Sequence, residues 1–592
     1  MGFDFFNVLS LIGGLSLFLF GMNIMGDSLA KTAGGKLERI LEKLTSTPIR
    51  GVLLGAAVTG VIQSSSATTV MVVGFVNSGI MKLSQAIGII MGANIGTTVT
   101  SWILSLTGIE GGNFFVQLCK PSAFSPVLAA VGVVLLLFSK SEKKHDIGTI
   151  MLGFAVLMFG MEAMSDAVKP LGDIPQFTHI LTVVSNPFFG VFAGALLTAI
   201  IQSSSASVGI LQALCATGSV SFRAAIPIIM GQNIGTCVTA LISAIGAKKN
   251  AKRAAFVHLY FNIIGTVIFM TVFYSVNAFV DFAFMDTAAN AAGIAVIHSV
   301  FNVVSTIILL PFSALLEKLA ILTVKDDSVD VEVKADNNEV GLLDARFLET
   351  PSFAVAQSVT ATRQMAELSK KSIKMAVALL GKFDLKKFKE VILLENQIDK
   401  YEDELGTYLV KISSKHLSVK DSQTSSIILH CIGDFERISD HAINICETIE
   451  DLNNKGIEFS KDALEELKVY AAALNEIMDM AVEVFETEDF SLAVKIEPLE
   501  EIIDEIHARI KKNHIKRLQE GKCTITLGIA LEDLITNFER VSDHCSAIAV
   551  SIIQIRSDGF ETHEYLEDIK RGKNAEFNRL CNEYRNKYSI KS

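Results

Sequence analysis

Long apolar runs fill the first 320 residues of this 592-residue chain, whereas the remainder mixes apolar and charged positions at helical spacing. An α-helix needs about 20 apolar residues to cross the hydrocarbon core of a bilayer. Candidate spans lie at about 8–27, 84–108, 122–138, 147–164, 224–245, 254–276 and 291–316. The pattern therefore predicts an all-α, polytopic membrane domain over residues 1–320.

The rest of the chain begins with a charged connector at 317–350 and continues from Pro351 with helical periodicity. Proline fits the first turn of a helix, where its missing N–H is not needed. Residues 351–592 lack the alternation typical of strands. They predict six long helices in two three-helix bundles, followed by a shorter tail helix near 563–588.

The membrane half contains an internal repeat at an offset of 139 residues. The segment VIQSSSATTV (61–70) recurs as IIQSSSASVG (200–209), and IIMGANIGTTVT (89–100) recurs as IIMGQNIGTCVT (228–239). Matches of this length at one offset indicate a duplication. They predict a first repeat at about 8–109 and a second at about 147–246.

Charge is distributed unevenly between the two halves. Residues 1–320 carry 17 Lys and Arg against 13 Asp and Glu, a net charge of +4, whereas the remaining 272 residues carry −15. A soluble domain with so acidic a surface is not expected to bind nucleic acid. The chain is expected to be a membrane domain followed by a cytosolic one.

Loop charge predicts that the two repeats have opposite orientations, because short loops rich in Lys and Arg stay cytoplasmic. The loop before the first QSSS segment has five basic residues, Lys31, Lys36, Arg39, Lys43 and Arg50. The matching stretch of the second repeat, 165–189, has one, Lys169. The N-terminus is therefore predicted outside and the C-terminal domain in the cytoplasm.

Two segments, 50–80 and 190–221, are predicted to enter the membrane and return to the same side. Each has an apolar run too short to cross, ending in Gln-Ser-Ser-Ser. If both crossed fully, basic loops would lie on both sides of the membrane. Broken polar segments at matching places in inverted repeats indicate the central site of a transporter.

The chemistry of these segments suits an oxyanion, since serine and glutamine donate hydrogen bonds without charge. Helices starting at Ser66 and Ser205 would point free N–H groups at the ligand. The paired NIGT segments supply neutral oxygens suited to sodium, and their glycines predict a local break that exposes carbonyls. The alternative is that the small residues only allow close helix packing.

Enzymatic activity is not expected. No carboxylate lies near the QSSS segments, and His258 and His298 are the only candidate bases for a serine nucleophile within the spans. Both are expected to make polar contacts between helices. The acidic residues within the spans are Glu162 and Asp27, each near a helix end. Sodium coupling therefore fits better than proton coupling.

The doubled QSSS, the paired MG[AQ]NIGT segments and the stretch from Lys252 to Asn262 resemble the type II sodium/phosphate cotransporters, over residues 8–320. The resemblance implies a bacterial inner-membrane carrier with Na⁺ as coupling ion and inorganic phosphate between two hairpins. The implied phosphate ligands are Gln63, Ser64, Ser65, Ser66, Gln202, Ser203, Ser204 and Ser205. Candidates for sodium or substrate contact are Asn94, Thr97, Thr98, Asn233 and Thr236.

A second duplication lies in the C-terminal half, where the E-R-x-S-D-H motif ending at His441 recurs ending at His544. An earlier Glu-x-x-x-Asp pair, also duplicated, places two carboxylates on one helix face. Facing helices of this kind would gather four carboxylates, a set suited to Mg²⁺, Mn²⁺ or iron. The alternative for such pairs is an ordinary solvated face.

This half resembles PhoU-type phosphate regulators over about 350–560. The resemblance implies metal binding by two sets of carboxylates and regulation of transport. The sets are Glu395, Asp399, Glu436 and Asp440 in one bundle, and Glu500, Asp504, Glu539 and Asp543 in the other.

Taken together, the sequence predicts sodium-coupled transport of phosphate with a cytosolic regulatory domain. Two alternatives remain open at this stage. One is a carrier of the same architecture for another anion, or a phosphate exporter. The other is a membrane phosphate sensor without flux. A homodimer is also left open.

Overall fold

The computed structural model describes residues 4–33, 47–108, 120–139, 141–325, 343–415, 417–556 and 575–590. The elements within these ranges are helical, apart from one isolated bridge between Ser221 and Ala288. The all-α prediction is therefore confirmed. The chain forms two compact units, the first including Asp344–Phe353 and the second continuing from Ala354.

The first unit contains thirteen α-helices among the described residues. They are α1 (Phe5–Ala33), α2 (Pro48–Ile62), α3 (Ser65–Ser78), α4 (Leu83–Ser105), α5 (Pro121–Phe138), α6 (Glu142–Val168), α7 (Pro175–Val184), α8 (Pro187–Ile201), α9 (Ser204–Leu214), α10 (Phe222–Ser243), α11 (Lys249–Val280), α12 (Ala291–Leu309) and α13 (Ser313–Thr323). A 3₁₀ turn at Ala345–Glu349 belongs to the same unit.

Seven helical segments of this unit are long and apolar enough to cross a membrane. Large apolar side chains such as Phe192 and Phe279 are exposed on the helix surfaces. Patches of this kind suit contact with lipid. Helix α13 extends to Thr323, which lies within the predicted connector, because apolar residues continue the helical pattern beyond Leu316.

Helices α1 and α6 show the symmetry of the duplication directly. A Cβ atom added at Gly21 would lie 2.3 Å from the backbone nitrogen of Leu157, and one at Gly160 would lie 2.3 Å from that of Phe18. At the 139-residue offset, Gly160 matches Gly21 and Leu157 matches Phe18. The two contacts therefore exchange, so a pseudo-twofold axis passes between these antiparallel helices.

Close glycine contacts also fix the path of each QSSS segment. A Cβ at Gly92 would lie 2.1 Å from the Val52 carbonyl oxygen, and one at Gly96 would lie 2.6 Å from that of Ala56. The contacts advance in the same direction along both helices, so α2 and α4 are parallel. The intervening α3 must therefore run back, and α2 and α3 form the predicted hairpin.

The second repeat has the same arrangement. A Cβ at Gly231 would lie 2.0 Å from the Val191 carbonyl oxygen, and one at Gly235 would lie 2.4 Å from that of Ala195. Helices α8 and α10 are thus parallel, and α9 returns between them. Helix α7 meets α8 at a bend of 104°.

Within its described residues, the second unit contains the six long helices expected from the sequence, plus a one-turn helix and a tail helix. They are α14 (Pro351–Ala378), α15 (Leu385–Ser413), α16 (Val419–Lys455), α17 (Lys461–Thr487), α18 (Phe490–Ala493), α19 (Ile496–Gln519), α20 (Ile525–Arg556) and α21 (Ala575–Lys587). The first residues of α14 belong to the first unit. The part of the predicted tail helix before residue 575 lies outside the described residues.

Helices α16 and α20 pack against each other and join the two bundles. The Nδ1 atom of His441 lies 2.8 Å from Asn537 Oδ1, and that of His544 lies 2.9 Å from Asp434 Oδ1. Each residue of one pair matches a residue of the other pair at an offset of 103. The bundles are therefore also related by a pseudo-twofold axis.

Helix α1 offers a matched test of the glycine contacts. In Gly21→Ala, the added methyl meets the α6 backbone, whereas at Gly13 nothing lies within 4 Å. We expect Gly21→Ala to destabilise the protein by about 1–3 kcal/mol through overpacking. Gly13→Ala is expected to be neutral or slightly stabilising, since alanine favours helix. Thermal unfolding of the detergent-solubilised variants measures both, and equal midpoints would contradict the packing assignment.

Candidate functional site

Each hairpin turns at its glutamine. Gln63 has φ 60° and Gln202 has φ 57°, both in the left-handed region that non-glycine residues rarely adopt. Such strain usually persists where the side chain has a use that glycine would not serve. Because both hairpins turn in the same way, their backbone tips have the same conformation.

The next residue, Ser64 or Ser203, caps the second helix of its hairpin. Ser64 Oγ accepts the Ala67 N–H at 3.1 Å, and Ser203 Oγ accepts the Ala206 N–H at 3.2 Å. Helices α3 and α9 therefore begin at Ser65 and Ser204, so the expected starts at Ser66 and Ser205 are wrong by one residue. Because each cap oxygen accepts, its own hydrogen remains free to donate to an anion.

The two hairpin tips meet at Ser65 and Ser204. Their Oγ atoms are 3.5 Å apart and both residues are buried. Since Ser204 is the repeat mate of Ser65, this contact lies on the pseudo-twofold axis. The N-terminal ends of α3 and α9 thus converge at one point, where their dipoles favour negative charge.

The remaining members of the predicted phosphate site surround this point unequally. Ser66 is half-buried and Ser205 is buried. Gln63 is buried, and its Oε1 accepts a hydrogen bond from Thr100 Oγ1 at 2.8 Å. Gln202 is exposed.

The NIGT segments correct one expectation. Helices α4 and α10 run unbroken through Asn94 and Asn233, so the predicted local break with exposed carbonyls is wrong. The flanking glycines instead admit the neighbouring hairpin backbone, as at Gly92 and Gly231. Close approach between helices, rather than backbone freedom, explains glycine here.

The five NIGT candidates are Asn94, Thr97, Thr98, Asn233 and Thr236. Each donates to a backbone carbonyl of its own helix at 2.7–3.3 Å. The hydroxyl hydrogens of Thr97, Thr98 and Thr236 are thereby used, so these side chains offer oxygen lone pairs, which suit a cation such as sodium. Each asparagine keeps its Oδ1 acceptor and one amide hydrogen. Among the described residues, none of the five forms a hydrogen bond with a QSSS serine.

The two intramembrane histidines are buried, His258 on α11 and His298 on α12. His298 Nδ1 lies 2.7 Å from Ser101 Oγ and links α12 to α4. His258 Nδ1 has no hydrogen-bond partner within the described residues. Neither imidazole forms a hydrogen bond with a QSSS serine in that part of the chain.

In the second bundle of the C-terminal unit, three predicted metal ligands converge. Ligand atoms of Glu500, Asp504 and Asp543 lie within 4.8 Å of one another. Burial, with the nearby charges of Glu539 and Asp543, raises the pKa of Asp504 to about 6. His507, which the sequence analysis missed, lies 3.2 Å from Glu539 through its Nδ1.

In the first bundle, the predicted ligands lie near enough for their charges to act on one another. Burial, followed by repulsion from Asp440, raises the pKa of Glu436 to about 7. The pKa of Glu395 is also raised, by burial and by Asp440 and Asp399. The charge of Glu402, a residue that the sequence analysis missed, also raises the pKa of Glu436.

Helical spacing held the signal for both missed residues. Glu402 lies seven positions after Glu395, and its mate His507 lies seven after Glu500, which places each on the face of its own Glu-x-x-x-Asp pair. The two clusters therefore differ by a carboxylate and an imidazole. Clustered hard oxygen ligands whose mutual repulsion raises their pKa values fit a divalent cation, which would neutralise that repulsion.

Comparison with known proteins gives two domain matches. Residues 17–166 and 157–294 match the family described as Na+/Pi-cotransporter. Residues 362–449 and 468–552 match the PhoU domain.

Three curated relatives are similar to the chain. YqeW of Bacillus subtilis, whose name gives no function, is 30% identical over 46% of this chain and 85% of its own length. YjbB of Escherichia coli, named for a proposed role in inorganic phosphate export, is 22% identical over 94% of this chain and 99% of its own. The rat sodium-dependent phosphate transport protein 2A is 24% identical over 44% of this chain and 60% of its own.

Among solved structures, PhoU from Pseudomonas aeruginosa aligns over 36% of this chain and all of its own length. Its sequence identity is 20% and its TM-score 0.33.

The carboxylate clusters predict a pH-dependent affinity for divalent cations. Since Glu436 and Asp504 keep their protons to about pH 7 and 6, a cation must displace those protons below neutrality. We expect the affinity for Mn²⁺ to rise roughly 4- to 25-fold per cluster between pH 5.5 and 7.5. Isothermal titration of the full-length protein in detergent measures this change.

The matched variants are Glu436→Gln with Asp504→Asn, which should weaken binding, and Glu367→Gln on the exposed face of α14, which should not. Affinity that is independent of pH, or unchanged in the double variant, would contradict a cation site.

The raised pKa values also have a consequence for stability. Without cation, the folded state holds more protons than the unfolded state, so stability should fall as pH rises from about 4.5 to 7.

Proposed function

Because the chain belongs to the Na+/Pi-cotransporter family and carries a C-terminal PhoU domain, we propose that it moves inorganic phosphate across the bacterial inner membrane by sodium-coupled secondary transport. The observation that carries the proposal is the contact between Ser65 and Ser204 on the pseudo-twofold axis. There, two helix N-termini and neutral hydroxyl donors meet without a fixed positive charge. Such a site recognises an oxyanion and still releases it.

In this proposal, the two halves of the site divide the ligands by charge. The serines and glutamines at the hairpin tips, Gln63 to Ser66 and Gln202 to Ser205, donate to phosphate. The NIGT threonines, whose hydroxyl hydrogens are used within their own helices, offer oxygen lone pairs to sodium, together with the Oδ1 atoms of Asn94 and Asn233. Sodium would then offset the phosphate charge without a charged side chain at the hairpin tips.

The direction of transport in the cell is a separate question. The rat relative is named for sodium-dependent transport, and the Escherichia coli relative for export. Import driven by the inward sodium gradient is the primary proposal, with the N-terminus outside and the C-terminal unit in the cytoplasm. Export, another anion, and sensing without flux are the alternatives.

Reconstituted liposomes test the transport function. With an inward sodium gradient, we expect uptake of radiolabelled phosphate that is lost when potassium replaces sodium. Ser65→Ala combined with Ser204→Ala should reduce uptake at least about 100-fold, since two buried donors to a charged ligand are removed. Ser78→Ala is the matched control, because that hydroxyl bonds to Gly74 at the far end of α3.

The outcomes separate the alternatives. Phosphate binding without uptake would favour a sensor, and uptake without sodium would contradict the coupling. Competition by another anion at lower concentration than phosphate would reassign the substrate.

We also propose that the PhoU domain regulates transport through the docking segment, Asp344–Phe353. Although it leads into the second unit, this segment belongs to the first and packs on α3. Phe347 and Phe353 are fully buried, and their rings lie 5.5 and 4.9 Å from that of Phe75. A Cβ at Gly74 would lie 2.7 Å from the Phe347 ring.

Polar contacts hold the same segment in place. Asn77, at the end of α3, donates to Asp344 at 2.6 Å and accepts the Lys248 N–H at 2.8 Å. Arg346 pairs with Asp344 and donates to the Ser243 carbonyl at 2.8 Å. The docking segment thus holds the helix that begins at Ser65, and release of this contact would free the first hairpin.

Phe347→Ala tests this regulatory contact. Removing the buried ring should weaken docking and raise the rate of phosphate uptake by roughly fivefold, within the usual range of coupling between sites. Phe383→Ala, which removes a ring that contacts Phe388 in the second unit, is the matched control. A rate equal to that of the unmodified protein in the same liposome assay would refute restraint by docking.

A further inference from the structure

The two hairpins have the same backbone turn but different side-chain hydrogen bonds. In the first repeat, Thr100 Oγ1 donates to Gln63 Oε1 at 2.8 Å across the hairpin tip. The repeat mates are Thr239 and Gln202. Gln202 is exposed, and Thr239 Oγ1 is buried with no hydrogen-bond partner among the described residues.

A second pair within the hairpins shows the same difference. Thr59 Oγ1, on α2, donates to Thr68 Oγ1, on α3, at 3.0 Å. The mates at the 139-residue offset are Thr198 and Ser207. Both are fully buried, and neither hydroxyl has a partner in the described part of the chain.

The asymmetry is not due to loss of the residues that form the bonds. Gln and Thr are retained at the tip in both repeats, and each inner pair has a hydroxyl at both positions. The hairpin turns are also alike, at φ 60° and 57°. The second repeat therefore has the groups needed for both bonds but does not form them.

Buried hydroxyls without partners are costly and uncommon in folded proteins. Three such groups, on Thr198, Ser207 and Thr239, occur at the mates of residues that are bonded in the first repeat. Inverted repeats allow a transporter to reach its opposite-facing state when the two repeats exchange conformations. Exchange would give each of these hydroxyls the partner that its mate has here.

We propose that these bonds are alternating latches of the two hairpins: Gln63–Thr100 with Thr59–Thr68 in one state, and Gln202–Thr239 with Thr198–Ser207 in the other. The structure has the first latch closed and the second open. Thr100 and Thr239 are positioning residues, each acting through the glutamine at the tip of its hairpin. The inference rests on the proposed transport function, since it assumes that the two hairpins alternate.

The latches predict effects of opposite sign at the two hairpins. Removing one buried hydrogen bond should shift the ratio of the two states by roughly 2- to 10-fold. Thr100→Val should weaken the first latch and increase the population with the second closed. Thr239→Val should do the reverse, and the double variant should restore the ratio.

Hydrogen–deuterium exchange of the full-length protein in detergent, without sodium or phosphate, measures both hairpins at once. In Thr100→Val, we expect peptides covering 59–68 to exchange faster and those covering 198–207 to exchange more slowly. Thr239→Val should give the opposite changes. Thr100→Ser, which keeps the hydroxyl, should behave as the unmodified protein.

A purely structural role would give a different result. If Thr100→Val speeds exchange at 59–68 and leaves 198–207 unchanged, the bond is a local contact and the latch is excluded. Thr107→Val, which removes a hydroxyl bonded to the Leu104 carbonyl, should leave both peptides unchanged. Because exchange needs no flux, failure here is separate from failure of the liposome assay.

Discussion

The membrane unit depends on one constraint, which is that a helix cannot end at membrane depth unless protein satisfies its backbone groups. Each hairpin ends two helices there. The Ser64 and Ser203 hydroxyls cap the second helices, and the glycine faces of α4 and α10 cover the first. The same residues that make the break tolerable therefore place two N–H-rich helix N-termini, those of α3 and α9, and free hydroxyl hydrogens at the axis. The capping serines therefore serve both the fold and the binding of an anion.

Much of this arrangement could be predicted from the sequence because duplication leaves a direct signal. The 139-residue offset and the loop charge predicted inverted repeats and hairpins, and helical periodicity predicted the six long helices. Hydrogen-bond direction could not be predicted. It depends on whether α3 begins at Ser65 or Ser66, and a shift of one residue decides which serine accepts from the backbone. The break expected at Asn94 was wrong for a related reason, since glycine in a helix serves close packing as readily as it serves freedom.

The difference in hydrogen bonding between the two hairpins could not be predicted from the sequence either. Two repeats with the same Gln and Thr residues give no indication of which pair is bonded, because that is a property of the conformational state. The contact of Phe347 with Phe75 lies far beyond the range of local patterns. Glu402 and His507, in contrast, follow from extending a recognised helix face by one further turn. The predicted set lacks them because the Glu-x-x-x-Asp motif covers only one turn of that face.

The similarity of the two hairpins, and the contact of the docking segment with one of them, are both relevant to the direction of transport. On the proposed function, near-identical hairpins would give the two facing states similar energies, so the ion gradient rather than the site itself would select import or export. A contact that only one repeat makes can then favour one of the two facing states. The docking segment contacts α3 and, in the second repeat, the α10 end at Ser243, and its aromatic rings pack against Phe75 of the first hairpin. A regulator that acts on one hairpin of a symmetric pair changes the balance between the two states without altering the ligands. On the proposed function, the same binding site can therefore serve relatives named for transport in different directions, with regulation outside the site making the difference.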